Sequence, residues 1–513
     1  MAQGKPKQFA RPSKKPKPKT SEPVTADDFQ ELADFEEEAG GKWRAGDPAK
    51  SGRAFLRALE IYDKGLAKHP KNFDLAYNKA RLQFEITQNP TLVEAIAGDG
   101  EGVEGMLREA LDSHRVALGL DGENCDVLFN TSQVLASLAE IFEEGDLDEE
   151  AAGMLREGLE LLSVCLGRQE MLMEQQRVDF EAREEGEEEG GVSVGAESSS
   201  RDGSVAGSEV GEQSATIVNP ITPGDLLDTV QASLSALTNL VPLVDASEIG
   251  ALGDMAQSLT EAKAPSYIAL LPADAQDAAR FSTGLARAIF IASFADAQFS
   301  AQMIELKTYT ERLQAFEMPG KDQDVHALFS EAQARSELVH SALDQADNTG
   351  IFDISACWKQ LTTGQDLLTK ASKLTTDDAK ERRAKIYDSK ADIELLRWRL
   401  ATGPYPGLSD AVKKSGPTLL ANARTFYKGA ADHGRALGEG EIVEKGIVRF
   451  ALVNEMVRLS SEGAGSSSSA PAASAVSLGV EMLDVVGALE MCVDEGLIDS
   501  NMGNELMGKL LKA

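Results

Sequence analysis

Residues 54–70 read AFLRALEIYDKGLAKHP, and residues 72–86 read NFDLAYNKARLQFEI. In both stretches apolar and small residues recur every three or four positions, which is the spacing of one face of an amphipathic helix. Pro70 and Asn72 interrupt this pattern, and they mark the end of one helix and the start of the next. The sequence therefore predicts a hairpin of two helices.

A second stretch, residues 108–141, repeats the first one 52 positions later. At that shift small residues align with small ones and large residues with large ones, on both helices and across the turn. The aligned pairs are Ala58 with Ala110, Leu59 with Leu111, Gly65 with Ala117, Leu66 with Leu118, Asn72 with Asn124, Asp74 with Asp126, Tyr77 with Phe129, and Asn78 with Asn130. A register shared by a helix, a turn and a second helix indicates an internal repeat, and such repeats stack into solenoids.

The first copy also has a characteristic order of residue types. A small residue, an aromatic, a small residue and a proline are followed by AYNKA, at Ala58, Tyr62, Gly65, Pro70 and residues 76–80. This order resembles the tetratricopeptide repeat. The second copy departs from it, because His114 stands at the aromatic position and Gly122 replaces the proline. The resemblance covers about residues 26–168, and it implies stacked helical hairpins that bind proteins.

Other parts of the chain fit this architecture less directly. Residues 86–105 read as a long Gly-rich connection, which accounts for a period of 52 where the family's period is about 34 residues. Residues 223–460 are expected to hold about eight further helices without an alignable repeat. Residues 476–513 predict two amphipathic helices, whose apolar faces either cap the solenoid or bind a partner in trans.

Composition divides the chain into six segments. Low hydrophobicity with runs of Glu, Ser and Gly cannot offset the entropy of ordering, so residues 184–216 are expected to be disordered. The predicted fold is an all-α, tetratricopeptide-like solenoid of helical hairpins with an acidic disordered insertion. The segments are 1–24 (disordered basic tail), 25–168 (repeats), 169–222 (acidic, Ser- and Gly-rich disordered insertion), 223–460 (continued helical solenoid), 461–475 (flexible linker) and 476–513 (C-terminal helical hairpin).

Charge is strongly biased along the chain. The formal net charge is −33, although the first 20 residues hold seven Lys and Arg and no acid. A body this acidic repels nucleic acid and attracts basic polypeptides, so direct nucleic-acid binding is not expected. Solubility is the alternative role of the charge. The basic run KKPKPK at residues 14–19 resembles a nuclear-import signal, which predicts a distribution between nucleus and cytoplasm.

Patterns that carry catalysis are missing from the sequence. The four cysteines have no pairing pattern and no CxxC spacing, and the five histidines lie in no metal-binding spacing. Strings that approach nucleotide-binding and hydrolase motifs, at residues 100–105, 191–195 and 503–509, lack the strand framework that these motifs need. No run of about 18 apolar residues predicts a membrane span. We therefore expect no enzyme activity, cofactor, metal site, small-molecule substrate or membrane contact.

The resemblance also implies where a partner would bind. The family's ligand-facing positions lie on the first helix of each repeat. Mapped onto this sequence, they are Asp74, Tyr77, Arg81, Phe84, Asp126, Phe129 and Gln133. Aromatic rings flanked by acids suit a basic, partly extended peptide. Packing in the core is the alternative account of Tyr77 and Phe129.

Together these features predict a non-enzymatic, protein-binding scaffold. The resemblance extends to acidic tetratricopeptide-type assembly chaperones, so the expected role is a chaperone or assembly factor for a basic client, such as a ribosomal protein or a histone. The alternative is a constitutive structural subunit of a larger complex, in which the charge serves only solubility.

Overall fold

The computed structural model describes residues 22–97, 102–188, 220–349, 352–462 and 480–510, and the regular elements in those ranges are all helical. The chain divides into two compact units, Met1–Ala236 and Leu237–Ala513, which we call the N-terminal unit and the C-terminal unit. The first eight helices are α1 (Ala26–Trp43), α2 (Pro48–Lys68), α3 (Phe73–Thr87), α4 (Pro90–Ala97), α5 (Val103–Leu120), α6 (Cys125–Glu144), α7 (Asp148–Glu188) and α8 (Pro223–Leu240), which contains the division. The others are α9 (Ala246–Gln257), α10 (Ala264–Leu270), α11 (Ala273–Ser300), α12 (Leu306–Arg312), α13 (Val325–Thr349), α14 (Ile354–Ala371), α15 (Asp377–Glu381), α16 (Arg383–Thr402), α17 (Asp410–Lys413), α18 (Gly416–Leu437), α19 (Gly440–Glu462), α20 (Met482–Asp494) and α21 (Ser500–Leu510).

Helical hairpins build the N-terminal unit. Its long helices pack in three successive pairs, α1 with α2, α3 with α5, and α6 with α7. The first helices of neighbouring hairpins also contact each other, α1 with α3 and α3 with α6. The prediction of an all-α fold built from helical hairpins is confirmed.

Helices α3 and α6, which follow the turn in the two repeat copies, begin in the same way. The Asn72 side chain accepts a hydrogen bond from the Leu75 backbone N–H at 2.8 Å, and so caps α3. The aligned Asn124 accepts from the backbone N–H groups of Asp126 and Val127 at 3.0 and 3.2 Å, and so caps α6. Both caps satisfy donors that a helix start leaves unpaired, which explains why asparagine stands at both turns.

Buried positions of the motif explain its order of small and large residues. Gly65 lies where α2 meets two other helices, because a Cβ at this position would be 3.0 Å from Leu75 Cδ1 and 3.1 Å from Phe29 Cβ. Tyr62, one turn earlier, is buried, and its hydroxyl donates to Glu37 at 2.6 Å. In the second copy His114 takes the place of Tyr62 and is also buried. A small residue is therefore needed for close approach, and a ring fills the space beside it.

The connection between the two copies is not a plain loop. The sequence predicted a Gly-rich connection over residues 86–105, whereas Pro90–Ala97 forms the two-turn helix α4. The Asn89 side chain accepts from the Leu92 backbone N–H at 3.2 Å, and Leu92 is 0% exposed. Pro90 is suited to the first helical position. Eight residues are too few to show a helical period, which is why this helix was missed.

Helix α7 runs past the predicted start of the insertion at residue 169. It continues to Glu188, so residues 169–188 are helical rather than disordered. Arg177 stabilises this part through ion pairs with Glu174 at 2.6 Å and Glu181 at 2.5 Å, at helical spacing. The predicted tail up to residue 21, residues 189–216 of the predicted disordered stretch, and residues 463–475 of the predicted linker lie outside the described residues.

The C-terminal unit is less regular. Its main helix pairs are α13 with α14, α16 with α18, and α18 with α19. Residues 223–460 hold more helices than the eight or so that the sequence predicted. The additional ones include α10, α12, α15 and α17, which are only four to seven residues long and therefore show no helical period in the sequence. Helix α11 ends at Ser300, and Gln302 just beyond it adopts a φ of 59°.

The last two helices pack within their own unit. Val485, Leu489 and Cys492 of α20 are buried in the same apolar core as Leu506 and Leu510 of α21. Helix α19 contacts both of them. Of the two alternatives left open by the sequence, the structure therefore shows packing in cis.

Candidate protein-binding surface

The first helices of the three hairpins carry a connected set of polar side chains. Asn78 on α3 donates its amide to Gln30 on α1 at 3.2 Å, and Asn130 on α6 donates its amide to the Tyr77 hydroxyl on α3 at 2.8 Å. These bonds join α1, α3 and α6 side by side. We call the surface that these helices form the first-helix face, and its residues are Gln30, Glu37, Asp74, Tyr77, Asn78, Arg81, Asp126 and Asn130.

Arg81 is held between acids on its own helix and on α1. Its guanidinium pairs with Glu37 at 2.5 Å and with Glu85 at 3.1 Å. Burial lowers the pKa of Arg81, but Glu37 and Glu85 raise it by more. A further cation, Arg44, bonds to Glu85 as well. The charge of Arg81 is therefore already balanced, and its role on this face is to join α1 to α3.

Tyr77 combines an apolar ring with a polar tip. Its ring stacks on Phe73 at 5.7 Å, and its hydroxyl oxygen accepts from Asn130. Burial and then the nearby carboxylate of Asp126 raise the pKa of Tyr77 to about 12, so the phenol is neutral at physiological pH. A neutral phenol that accepts one hydrogen bond can still donate its own hydrogen, for example to a peptide carbonyl.

Asp74 and Asp126 are exposed carboxylates at aligned positions. Each is the second residue of its helix, directly after the asparagine-capped turn. Partial burial and the neighbouring Asp225 on α8 raise the pKa of Asp126. Acids at helix N-termini also interact favourably with the helix dipole. Stabilisation of the helix start is therefore a second reason, besides partner binding, for the position of these two residues.

The other three predicted residues are engaged with neighbouring helices. Phe84 is half-buried and packs edge-on against His114 of α5, with 6.4 Å between ring centroids. Phe129 packs against a buried cluster that contains Leu128 and two cysteines. Gln133 lines a small cavity of about 40 Å³ between α6, α7 and α8. The structure thus brings Asp74, Tyr77, Arg81 and Asp126 to one surface, and places Phe84, Phe129 and Gln133 in packing contacts beside it.

Four residues of this face were not predicted as partner-binding from the sequence. Asn78 and Asn130 lie on α3 and α6, and Gln30 and Glu37 lie on α1, upstream of the aligned copies. The ligand-facing positions were not mapped onto α1, because the distance from Gly46 to Ala58 is longer than in the family. The signal that could have found the two residues of α1 is the helical register of that helix, since Gln30, Asp34 and Glu37 recur at spacings of four and three.

Other kinds of site were also sought in the part of the chain that the structure describes. There, no three or more His, Cys, Asp and Glu side chains are grouped as a metal site would require. No helix within the described ranges is long and apolar enough to cross a membrane.

Comparison with known proteins gives one clear relative. A UPF0656 protein of Schizosaccharomyces pombe is 32% identical over 169 residues, which cover 33% of this chain and 35% of that protein. The chain thus spans about a third of the length of the curated relative it matches. No family model matches the sequence. A solved circular tandem repeat protein with a novel repeat topology covers 95% of this chain and 96% of its own, at 12% identity and a TM-score of 0.28, a score that does not establish a shared fold.

Proposed function

We propose that this chain is a non-enzymatic, tetratricopeptide-type scaffold that acts as a chaperone or assembly factor for a basic client of the ribosomal-protein or histone class. The observation that carries the proposal is the charge of the first-helix face. Asp74 and Asp126 are exposed there, whereas the cation Arg81 is already paired with Glu37 and Glu85. The face therefore favours a cationic partner.

The polar groups of the face suit a client segment in an extended conformation. The carboxylates of Asp74 and Asp126 can accept from lysine or arginine side chains. The Asn130 carbonyl oxygen can accept from a peptide N–H, while the Tyr77 hydroxyl can donate to a peptide carbonyl. Charge-assisted and backbone bonds of these two kinds together recognise a basic peptide without requiring one particular sequence.

Burial of the motif residues supports the tetratricopeptide assignment. In the first copy Ala58 and Tyr62 are buried, and Gly65 is closely approached by two helices. In the second copy the aligned Ala110, His114 and Ala117 are buried as well. Both copies thus use the small-ring-small order to pack a second helix against its neighbours, as the family's repeat does.

Overall charge supports the same client class. The net charge of −33 would speed the encounter with a basic protein at low salt. The basic run at residues 14–19 lies outside the described residues, and we propose that it directs import, so that the protein works in both nucleus and cytoplasm. We propose no direct binding to nucleic acid, membrane or a small-molecule substrate.

The test is direct binding to purified candidates over a range of salt. The full chain is titrated with a panel of ribosomal proteins and histones, and Kd is measured from about 50 to about 500 mM NaCl. We expect one basic protein to bind far more tightly than the others, and its Kd to rise steeply with salt. Weak and equal binding to the whole panel would mean that the charge is only non-specifically attractive.

The same titration separates the alternative role of structural subunit. A constitutive interface is mainly apolar, so its Kd would change little with salt. Binding to a member of the panel with a Kd that hardly changes over this range of salt would therefore overturn the chaperone assignment.

A further inference from the structure

Two cysteines that are 40 residues apart in the sequence meet in the N-terminal unit. Cys125 is the first residue of α6, and Cys165 lies on the facing helix α7. They are 8% and 0% exposed. The Cys165 thiol donates to the Cys125 backbone carbonyl at 3.4 Å, and both side chains lie in the same buried cluster. The sequence showed no pairing pattern, because their proximity depends on how α6 and α7 pack.

The two thiols differ in how readily they ionise. The neighbouring Cys165 side chain lowers the pKa of Cys125, and nearby Arg168 acts in the same direction against burial and two acids. The position of Cys125 at a helix N-terminus also favours its thiolate. The neighbouring Cys125 side chain, together with burial, raises the pKa of Cys165. Cys125 is therefore the nucleophile of the pair, and Cys165 remains a protonated thiol in contact with it.

We propose that Cys125 and Cys165 are a redox modification site, at which a hydroperoxide converts the two thiols into a reversible intrachain disulfide. The Cys125 thiolate attacks one peroxide oxygen, the O–O bond breaks, and the leaving hydroxide takes up the proton that Cys125 released. The Cys165 sulfur then attacks the Cys125 sulfenic acid. The S–S bond forms, the S–O bond breaks, and hydroxide leaves as water with the Cys165 proton. Two thiols lose two electrons, and hydrogen peroxide becomes two molecules of water.

The site lies directly beneath part of the first-helix face. Asp126 follows Cys125 in the chain, and Phe129, one turn further on, packs against the cluster that both cysteines share. A disulfide would fix α6 to α7 under these residues. The proposed oxidation requires only the two thiols and the oxidant, so its test does not depend on whether a partner binds.

The full-length protein is treated with hydrogen peroxide, and its free thiols are then alkylated in denaturant and mapped by mass spectrometry. We expect loss of two hydrogen atoms from the intact mass, a digestion product that links Cys125 to Cys165, and reversal by dithiothreitol. Cys357 and Cys492 are the internal controls, because burial raises the pKa of each thiol to about 12, and they should stay alkylatable. Recovery of Cys125 and Cys165 as free thiols, or equal oxidation of all four cysteines, would overturn the proposal.

Two variants test the assigned roles. In Cys165→Ser the sulfenic acid on Cys125 has no resolving thiol, so dimedone should trap it there. In Cys125→Ser the nucleophile is absent, so Cys165 should stay reduced. Dimedone labelling of Cys165 in Cys125→Ser, without labelling of Cys125 in Cys165→Ser, would mean that Cys165 is the nucleophile and would contradict the assignment. The linked peptide of the unmodified sequence decides the pairing even if a variant folds poorly.

Discussion

The two units bury different kinds of polar side chain. In the N-terminal unit the buried polar side chains among the described residues are neutral, such as Ser51 and Thr131, and ion pairs such as Arg115 with Glu157 lie at the surface. In the C-terminal unit charged side chains are buried, namely Lys321, Glu331, Lys390, Glu394, Arg399, Arg449 and Glu455. Packing of small and aromatic residues therefore recurs in the first unit, whereas the second unit combines its apolar core with buried ion pairs.

Arg449 is the clearest case of a buried ion pair. Its side chain is 0% exposed and pairs with Asp392 of α16 at 3.0 Å and with Glu495, which follows α20. It therefore joins three segments that are far apart in the sequence. Because a charge left unpaired in such a place is costly, the ion pair makes one arrangement of these segments much more stable than others.

The largest expected effect is at this residue. Replacing Arg449 by Met leaves two carboxylates without their partner, and we expect the free energy of unfolding of the C-terminal unit to fall by about 3–5 kcal/mol. Arg115→Met in the N-terminal unit is the control, since its exposed pair with Glu157 is worth about 0–1 kcal/mol. Hydrogen exchange under native conditions, read by peptides from each unit, measures both. Similar small losses in the two variants would remove the distinction between the units.

A smaller effect is expected from overpacking in the N-terminal unit. Gly65→Leu places a side chain where a Cβ already meets Leu75 and Phe29, and we expect a loss of about 1–3 kcal/mol. Gly119→Leu on α5 is the matched control, because nothing lies within 4 Å of its Cβ position. It should be neutral or stabilising by up to about 1 kcal/mol, since leucine is the better helix former. Urea denaturation compares the two, and equal outcomes would mean that the repeat motif does not set the packing.

The smallest of these effects is a pH dependence in the C-terminal unit. Glu337 keeps part of its surface exposed, but partial desolvation, together with Asp296 and Asp344, raises its pKa from 4.5 to about 7. Between these values the folded state holds a proton that the unfolded state has lost, so the contribution of Glu337 to stability is present at low pH and is lost as pH rises towards 7. Glu337→Gln should therefore be more stable than the parent near neutral pH, with the difference vanishing below pH 4.5. Thermal unfolding across this range checks the sign, and a variant that is less stable at neutral pH would contradict it.

The comparison between the units also explains which features of the fold could be predicted from the sequence. Tyr62 and His114 occupy equivalent places, so the same packing requirement appears twice and produces a readable motif. Arg449 and Asp392 are 57 residues apart and form a pair that occurs once, so no spacing in the local sequence indicates this ion pair. Short helices such as α4 and α17 were missed for a different reason, since a few residues cannot show a period.

The candidate surface, like the fold, was only partly predictable from the sequence. Mapping the family's ligand-facing positions onto the two copies placed Asp74 and Asp126 on one face, and aligned positions point the same way in stacked hairpins. Glu37 was missed since those positions were not mapped onto α1. The contact between Cys125 and Cys165 was missed because it depends on the register in which α6 and α7 pack, which sequence spacing does not determine.

The central claim is that the first-helix face, rather than overall charge, binds the client, and matched charge reversals test it most directly. Asp74→Lys with Asp126→Lys alters the face. Glu60→Lys with Asp112→Lys makes the same change of charge at two exposed positions on α2 and α5, which are also aligned between the copies.

Client Kd at low salt is the measurement. We expect the first variant to weaken binding by at least about tenfold, or about 1.4 kcal/mol, and the second by no more than about twofold. Each lysine at a helix start opposes the helix dipole at a cost of about 0.3–1 kcal/mol, so the first variant should remain folded. Glu60 and Asp112 are exposed positions inside their helices, so the second variant should remain folded as well. Equal weakening by the two variants would contradict the account, because overall charge would then explain binding.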